Sequence, residues 1–348
     1  SRGLIILWSA VQVREGPPVI KKPTFGLAFY LDCLDMRWHI LLITMKNFRP
    51  PINLSNIKDW LLVCLIWLIS RLPLRVIRCL GAFLGLVFWL IAKERRYVVL
   101  TNLRLCFPDM LDGERKRIAF KHFIYFSQAV LDRSLMWFAS EKRIRHIVRQ
   151  HDEERLYSKD GRPTLVLAPH FVGLDATGTR ASMMGSWVSM YANQKNPVFN
   201  YMLLHGRSRF TSPVLVSRQD GLLKVVKAMR RGTPFYYLPD QDYGVKDAIF
   251  TPFFGVPAAT VTGVSRLARL TNARVIALVS KMVPDGYESY YTEEWENFPG
   301  ASVEEDTLRM NQFIESWVLK MPEQYFWLHK RFKTRPDGQP SVYGKHQR

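Results

Sequence analysis

Thr164–Asp175 reads TLVLAPHFVGLD. Thr164–Ala168 is a short, uncharged run of strand-forming residues, and Pro169 ends it because proline cannot donate to a ladder. A turn carrying Gly173 then leads into a helical pattern. A buried strand that stops and feeds a helix is the repeating unit of an α/β sheet. Three similar runs follow, Trp187–Tyr191, Pro234–Leu238 and Arg274–Val279. Helical stretches separate them. Gly221–Arg231 sets Leu222, Val225, Val226 and Met229 on one face, with Asp220 as its N-cap and Gly232 just past its end. Val261–Leu270 and Val303–Leu319 are amphipathic in the same way. The expected fold is therefore α/β, a mixed, mostly parallel sheet flanked by helices.

Upstream, Arg95–Gln150 reads as helical and strongly basic, with Glu114–Phe126 and Ala129–Phe138 its clearest pieces. Before that, Trp60–Ser70 and Cys79–Ala92 are apolar runs separated by Arg71, Pro73, Arg75 and Arg78. Neither reaches the ~20 residues that cross a bilayer alone. A buried helical hairpin would account for them. Trp60, Trp67 and Trp89, with Lys93, Arg95 and Arg96 directly following, favour a membrane anchor instead. Spanning and lying in the interface both remain open.

Residues 1–59 carry little signal. Leu4–Val13 is apolar but lacks a cleavage site, Gly16–Pro18 and Pro50–Pro51 break any element, and Met36 and Met45 are candidate starts. The expected organisation is an extension over 1–59, an anchor over 60–92, a catalytic domain over 93–333 and a loosely ordered tail over 334–348.

The 348 residues carry 49 Lys and Arg against 30 Asp and Glu, a net charge of +19. A hydrophobic share of 48% excludes general disorder. Cys33, Cys64, Cys79 and Cys106 show no C-x-x-C spacing, which excludes a disulfide scaffold and a cysteine-built zinc site. The positive excess calls for an anionic partner: nucleic acid, an acidic protein, phosphate groups or an anionic membrane. Ten Trp and 21 Phe turn that reading toward lipid and away from nucleic acid.

His170 stands where open α/β sheets gather their chemistry, just beyond a strand's carboxyl end. Asp175 follows five residues later, and no other histidine of the eight has a carboxylate at that spacing. Across a strand-to-helix turn, Asp175 can orient the imidazole so that His170 takes a proton from a hydroxyl nucleophile. A structural strand-end histidine is the plain alternative. There is no G-x-S-x-G (Ser265 in GVSRL lacks the second glycine), no P-loop and no dinucleotide fingerprint, so no cofactor is expected. Asp240 and Asp242 in LPDQDYG admit a divalent metal, but loop capping or arginine pairing is the better reading, and no metal is expected. Arg207 and Arg209 in HGRSRF suit phosphate binding or a solvated basic face equally. His146 and His151 read as a surface pair. Thr251–Gly263 reads as a small-residue, Phe-rich loop leading into a helix.

Taken in order, several strings resemble the late lipid A acyltransferases, which add secondary acyl chains to the lipopolysaccharide precursor. They are NLRLCFP (Asn102–Pro108), PHFVGLD (Pro169–Asp175), GRSRF (Gly206–Phe210), LPDQDYG (Leu238–Gly244), TPFFGVPAAT (Thr251–Thr260) and PEQYFWLHKRFKTRP (Pro322–Pro336). The resemblance covers Trp60 to Pro336. It implies a glycerolipid-acyltransferase-like domain behind an N-terminal membrane helix, on the cytoplasmic side of a Gram-negative inner membrane. The implied donor is an acyl thioester on acyl carrier protein, and the acceptor a hydroxyacyl 3-hydroxyl of a Kdo-bearing lipid A precursor. By the same resemblance His170 and Asp175 match the catalytic pair, and Arg207 and Asp240 match further positions associated with activity. This chain has Asp175 where many relatives have Glu, and Lys330 where they often have Arg. Transfer to another membrane lipid and a non-catalytic lipid-binding protein are the alternatives.

Overall fold

The structure, a computed structural model, describes residues 50–217 and 221–344. Leu4–Val13, Met36 and Met45 lie outside the described residues, as does Asp220, the expected N-cap.

The chain enters through two helices, α1 (Ile57–Ile69) and α2 (Leu74–Ile91), joined by a turn at Pro73. Helix α2 is longer than the apolar run Cys79–Ala92 that marks it, because Arg75 and Arg78 lie inside the helix instead of separating two runs. Helices α3 (Lys93–Cys106), α4 (Asp112–Phe138) and α5 (Glu141–Ile147) follow. The two expected pieces of Arg95–Gln150 are thus one continuous 27-residue helix, α4. Packing of α2 on α4 depends on two glycines. A Cβ on Gly81 would lie 2.7 Å from the Cα of Gln128, and one on Gly85 would lie 2.7 Å from the Cα of Ile124. Any larger residue there forces the helices apart.

Strand β1 (Val148–His151) was expected to be helical; only Val148 of its four residues is buried, so the stretch carries little apolar alternation to mark a strand. The α/β portion runs β2 (Thr164–Leu167), α6 (Leu174–Ala181), β3 (Val188–Tyr191), α7 (Pro197–Ser208), β4 (Val214–Ser217), α8 (Leu223–Met229) and β5 (Phe235–Tyr237). Then come β6 (Ala248–Phe253), β7 (Val256–Val261), α9 (Gly263–Thr271), β8 (Arg274–Val283), β9 (Gly286–Tyr291) and α10 (Val303–Lys320). Seven strands form one sheet in the order β1-β9-β8-β2-β5-β3-β4. All neighbours are parallel except β8 and β9, which form a hairpin. The α/β, mostly parallel sheet with flanking helices is as the sequence indicates.

Local chemistry explains the helix starts. Asn196 accepts from the backbone N–H of Val198 and Phe199, and Pro197 occupies the first helical position of α7. Ser302 accepts from Glu305 N at 3.0 Å, and Glu304, Glu305 and Asp306 place negative charge at the positive end of α10.

Two expectations fail. Thr251–Gly263 is not a loop: β6 and β7 pair antiparallel from Ala248↔Val261 to Phe253↔Val256. Phe254 and Gly255 both have positive φ, the pattern of a two-residue hairpin turn. A phenylalanine there hides the turn from a sequence reading, since it is held by Phe107 and Phe253 at ring distances of 5.0 and 5.1 Å rather than by its own preference. The described part of the expected tail, residues 334–344, is also held in place. Tyr343 is buried, its hydroxyl donates to Asn102 Oδ1 at 2.6 Å and accepts from Phe332 N at 3.0 Å, and Arg335 donates to Pro257 O.

Candidate active site

Parallel pairing of β2 with β5 builds the centre of the site. Their register aligns Leu165 with Phe235, Val166 with Tyr236 and Leu167 with Tyr237. Ala168 N donates to Tyr237 O at 2.8 Å, so pairing continues past the strand ends. Three residues beyond each strand, that register brings His170 to Asp240. Asp240 Oδ2 accepts from His170 N at 2.8 Å, and Asp240 Oδ1 lies 2.5 Å from His170 Nδ1. A carboxylate only accepts, so Nδ1 carries the proton and Nε2 carries the lone pair in the neutral ring. Burial opposes ionisation of Asp240, but the charge of His170, its two hydrogen bonds and the Arg331 guanidinium outweigh it. They hold the carboxyl below its usual range.

Asp175 does not orient His170, although its spacing suggests it. It occupies the first turn of α6, which packs on α4, and its carboxylate accepts from Arg133 there in a short contact. The carboxylate found on His170 Nδ1 is that of Asp240, which the sheet register brings in. Arg207, at the end of α7, is exposed and makes no hydrogen bond or ion pair among the described residues. Asp175 and Arg133 both act on it electrostatically. Desolvation is the largest influence on Arg207 and lowers its pKa; the charge of Asp175 opposes that and the charge of Arg133 adds to it.

Arg209 has a different role from Arg207. Its guanidinium donates to Met136 O and Ala139 O, the free carbonyls at the end of α4, and lies 4.7 Å from the Phe210 ring centroid. Burial pushes it down to about 10. It closes a helix C-terminus. Asp242 likewise serves structure. It accepts from Gly244 N, Thr334 N and Thr334 Oγ1, while its own N–H donates to His329 Nε2 at 2.9 Å. Desolvation, then Arg331 and His170, push His329 down to about 3, so its ring is neutral and can accept. Among the described residues no three His, Cys, Asp or Glu side chains gather as a metal-ligand set. His151 stacks on Tyr290 at 4.8 Å and His146 is exposed, both away from this centre.

The segment Pro322–Pro336 is a strap that ties these parts together. Val172 N donates to Gln324 O and Phe326 N to His170 O, both at 2.9 Å, on either side of the turn that follows β2. Asn102 donates to the carbonyls of Trp327 and His329 at 2.8 Å each. Arg331, 2% exposed, donates to Ala259 O and Thr260 Oγ1 at 2.8 Å on β7. Lys330 lies 3.5 Å from Glu94 and faces the surface. Phe326 sits beside the imidazole, with ring centroids 6.3 Å apart.

Sequence reading missed Arg133 altogether and did not pair Asp240 with His170. A signal for the second was present: two residues past each strand stands a proline, followed at once by one member of the pair, Ala168-Pro169-His170 and Leu238-Pro239-Asp240. No local pattern marks Arg133, which is one of several arginines on a basic helix.

Comparison with known proteins places this geometry. Residues 45–334 match the family model described as bacterial lipid A biosynthesis acyltransferase. The chain is 34% identical over 291 residues to the lipid A biosynthesis lauroyltransferase of Escherichia coli K12, covering 82% of this chain and 94% of that protein. It is 31% identical over 289 residues to the palmitoleoyltransferase of the same organism, covering 82% and 94%. To the myristoyltransferase it is 30% identical over 305 residues, covering 86% and 93%.

Proposed function

Because the chain belongs to the bacterial lipid A biosynthesis acyltransferase family, we propose that it moves a fatty acyl chain from an acyl carrier protein thioester to a hydroxyacyl 3-hydroxyl of a Kdo-bearing lipid A precursor. The observation that carries the mechanism is the His170–Asp240 pair at the ends of two parallel strands.

An alcohol is a weak nucleophile until it loses its proton. His170 Nε2 takes that proton as the oxygen attacks the thioester carbonyl, and Asp240 holds the ring in the required tautomer and stabilises the imidazolium. The hydroxyl oxygen bonds to the carbonyl carbon, the tetrahedral oxyanion collapses, and the carbon–sulfur bond breaks. The proton on His170 passes to the departing thiolate. No enzyme-bound acyl group is required, so transfer is direct. Arg207, exposed and charged, is the side chain we assign to an anionic group of a substrate or to the oxyanion, with Arg133 held beside it by Asp175. Asp175 is thereby a positioning carboxylate in this reading.

The anchor is the helical pair within residues 60–92, and the catalytic unit extends from there through Tyr343. In this reading the enzyme works at the inner membrane, from the cytoplasmic side. Its net charge of +19 suits both an acidic carrier protein and a phosphorylated lipid. The test is transfer of radiolabelled acyl groups from acyl carrier protein, with lipid A precursor and lysophosphatidic acid compared as acceptors. Transfer to the lipid A precursor alone is expected. Preference for lysophosphatidic acid, or no transfer to either, overturns the proposal.

A further inference from the structure

Helix α2 has 18 residues and is apolar enough to cross a membrane by length and composition. At 1.5 Å per residue it is about 27 Å long. Its neighbours, however, leave no room for a lipid environment all round. Gly81 abuts Gln128 and Gly85 abuts Ile124, and Trp89 meets Phe120 edge-on at 5.7 Å, so α2 runs antiparallel along α4 for most of its length. Helix α4 belongs to the sheet domain: His122 Nδ1 is 3.0 Å from Glu323 O, and Asp132 accepts from Tyr287 on β9 at 2.6 Å.

The helix's own arginine makes the same point. Arg78 is 7% exposed, and its guanidinium is spent on the catalytic domain. It donates to Asp132 Oδ2 at 3.2 Å, to Gly286 O at 2.8 Å and to the carbonyls of Val283 and Pro284, at the turn between β8 and β9. Arg143 on α5 donates to Ser70 O and Leu72 O, which ties down the α1–α2 turn. If α2 crossed the hydrocarbon, the middle of α4 and the β8–β9 turn would be carried in with it. Their charged and polar groups forbid that.

The outward face nonetheless demands an apolar neighbour. Leu61, Leu65, Leu68, Phe83, Leu90 and Ile91 are each more than half exposed. Exposed Lys58, Arg71, Arg75, Lys93, Lys116 and Lys121 rim it, against Asp59 and a Glu94 already paired with Lys330. An apolar face with a cationic rim matches acyl chains beneath anionic headgroups. Behind that face, on the inward side of α2, a path of rings leads from the buried Phe88 to His170. Phe88 meets Phe126 at 6.1 Å, Phe126 meets Phe326 at 5.9 Å, and Phe326 meets His170 at 6.3 Å.

We propose that α1 and α2 form a monotopic wedge that lies in one leaflet of an anionic bilayer, with both ends of α2 on the cytoplasmic side. This rests on the membrane reading above and adds its geometry. The wedge keeps His170 at the level of the headgroups, so the acceptor hydroxyl is reached without lifting the lipid out of the leaflet.

The test uses the full chain expressed in a Gram-negative cell with its four cysteines replaced by alanine, carrying either Pro73→Cys or Lys93→Cys at the two ends of α2. A membrane-impermeant maleimide is applied after the outer membrane is permeabilised. Neither position should react until detergent opens the inner membrane, and then both should. Labelling of one of the two before detergent means that α2 spans, and overturns the wedge while leaving the catalytic proposal standing. Removing residues 1–44 should leave the membrane-bound fraction unchanged. Loss of pelleting on that deletion assigns anchoring to the N-terminal segment and overturns the wedge. A full chain found in the soluble fraction overturns both the wedge and the membrane reading beneath it.

Discussion

Asp240 and Asp175 are both candidates for the same histidine, and the fold treats them oppositely. Asp240 sits at the end of β5, 1% exposed, and spends its carboxylate on His170. Asp175 sits on the first turn of α6 with a side chain 36% exposed, and spends its carboxylate on Arg133. One is seventy residues from His170 in sequence and touches its Nδ1, whereas the other is five residues away and is paired with Arg133. Parallel register outweighs sequence proximity because a strand end fixes direction, while a helical turn rotates each residue by about a hundred degrees.

The strongest way to break this comparison is to remove the pair itself. His170→Ala should lower kcat by about 10²–10⁴-fold with the protein still folded. Asp240→Asn should come close to it, since the amide no longer fixes the tautomer. Adding Asp240→Asn to the His170→Ala chain should cost little more, because the carboxylate acts only through the ring. Initial rates at saturating donor read all three. An Asp175→Asn chain that matches His170→Ala beside a near-normal Asp240→Asn chain would reverse the roles assigned here.

The next comparison is between Arg207 and Arg209, two residues apart on GRSRF. Arg207→Ala should reduce transfer at least about tenfold with no change in Tm, and Arg207→Lys should recover only part of it. Arg209→Ala should leave kcat near normal and lower stability by ~1–3 kcal/mol, because buried carbonyls at the end of α4 lose their donor. Thermal melts and rates measured on the same preparations separate the two. Equal loss of activity at both positions would contradict the division.

A smaller effect concerns acid. His122 is fully buried, and desolvation pushes it down to about 4, against a partial opposing hydrogen bond with Glu323 O. The unfolded chain therefore binds more protons between about pH 6.5 and 4, and stability falls as pH falls through that window, by about 3 kcal/mol for His122. Asp240 adds to the loss at still lower pH, since its folded carboxyl is held down and gives up its stabilisation on protonation. Denaturant midpoints between pH 7 and 4 measure this. A His122→Gln chain should show a flatter profile, and an unchanged slope would mean that other groups dominate.

Much of this architecture is legible in the sequence. The four β-rich runs became β2, β3, β5 and β8: β2 is buried throughout and β8 nearly so, while β3 and β5, buried at Val188 and Phe235, show through their β-branched and aromatic residues. Strands β6 and β7 were not legible, since Pro252 and Pro257 lie within them and Phe254 stands where Gly or Asn usually signals a hairpin. His170 could be picked out by its place after a strand. Its partner could not, because which strands adjoin is a property of the sheet order and not of any local pattern. Arg209 suits phosphate as well as a solvated face in one dimension and satisfies free backbone carbonyls in three, whereas Asp242 caps backbone groups as the sequence indicates.

The strap over the catalytic turn also has a consequence in time. Protein synthesis runs from the amino end, so the apolar hairpin of α1 and α2 leaves the ribosome long before Pro322–Pro336 does. Until those last segments emerge, Gln324 and Phe326 are not there to brace the turn around His170, and Arg331 is not there to hold β7. The turn around His170 is therefore braced only after the segment that follows α10 has been made. A chain without Pro322–Pro336 would leave the turn at His170 without Gln324 and Phe326, and β7 without Arg331.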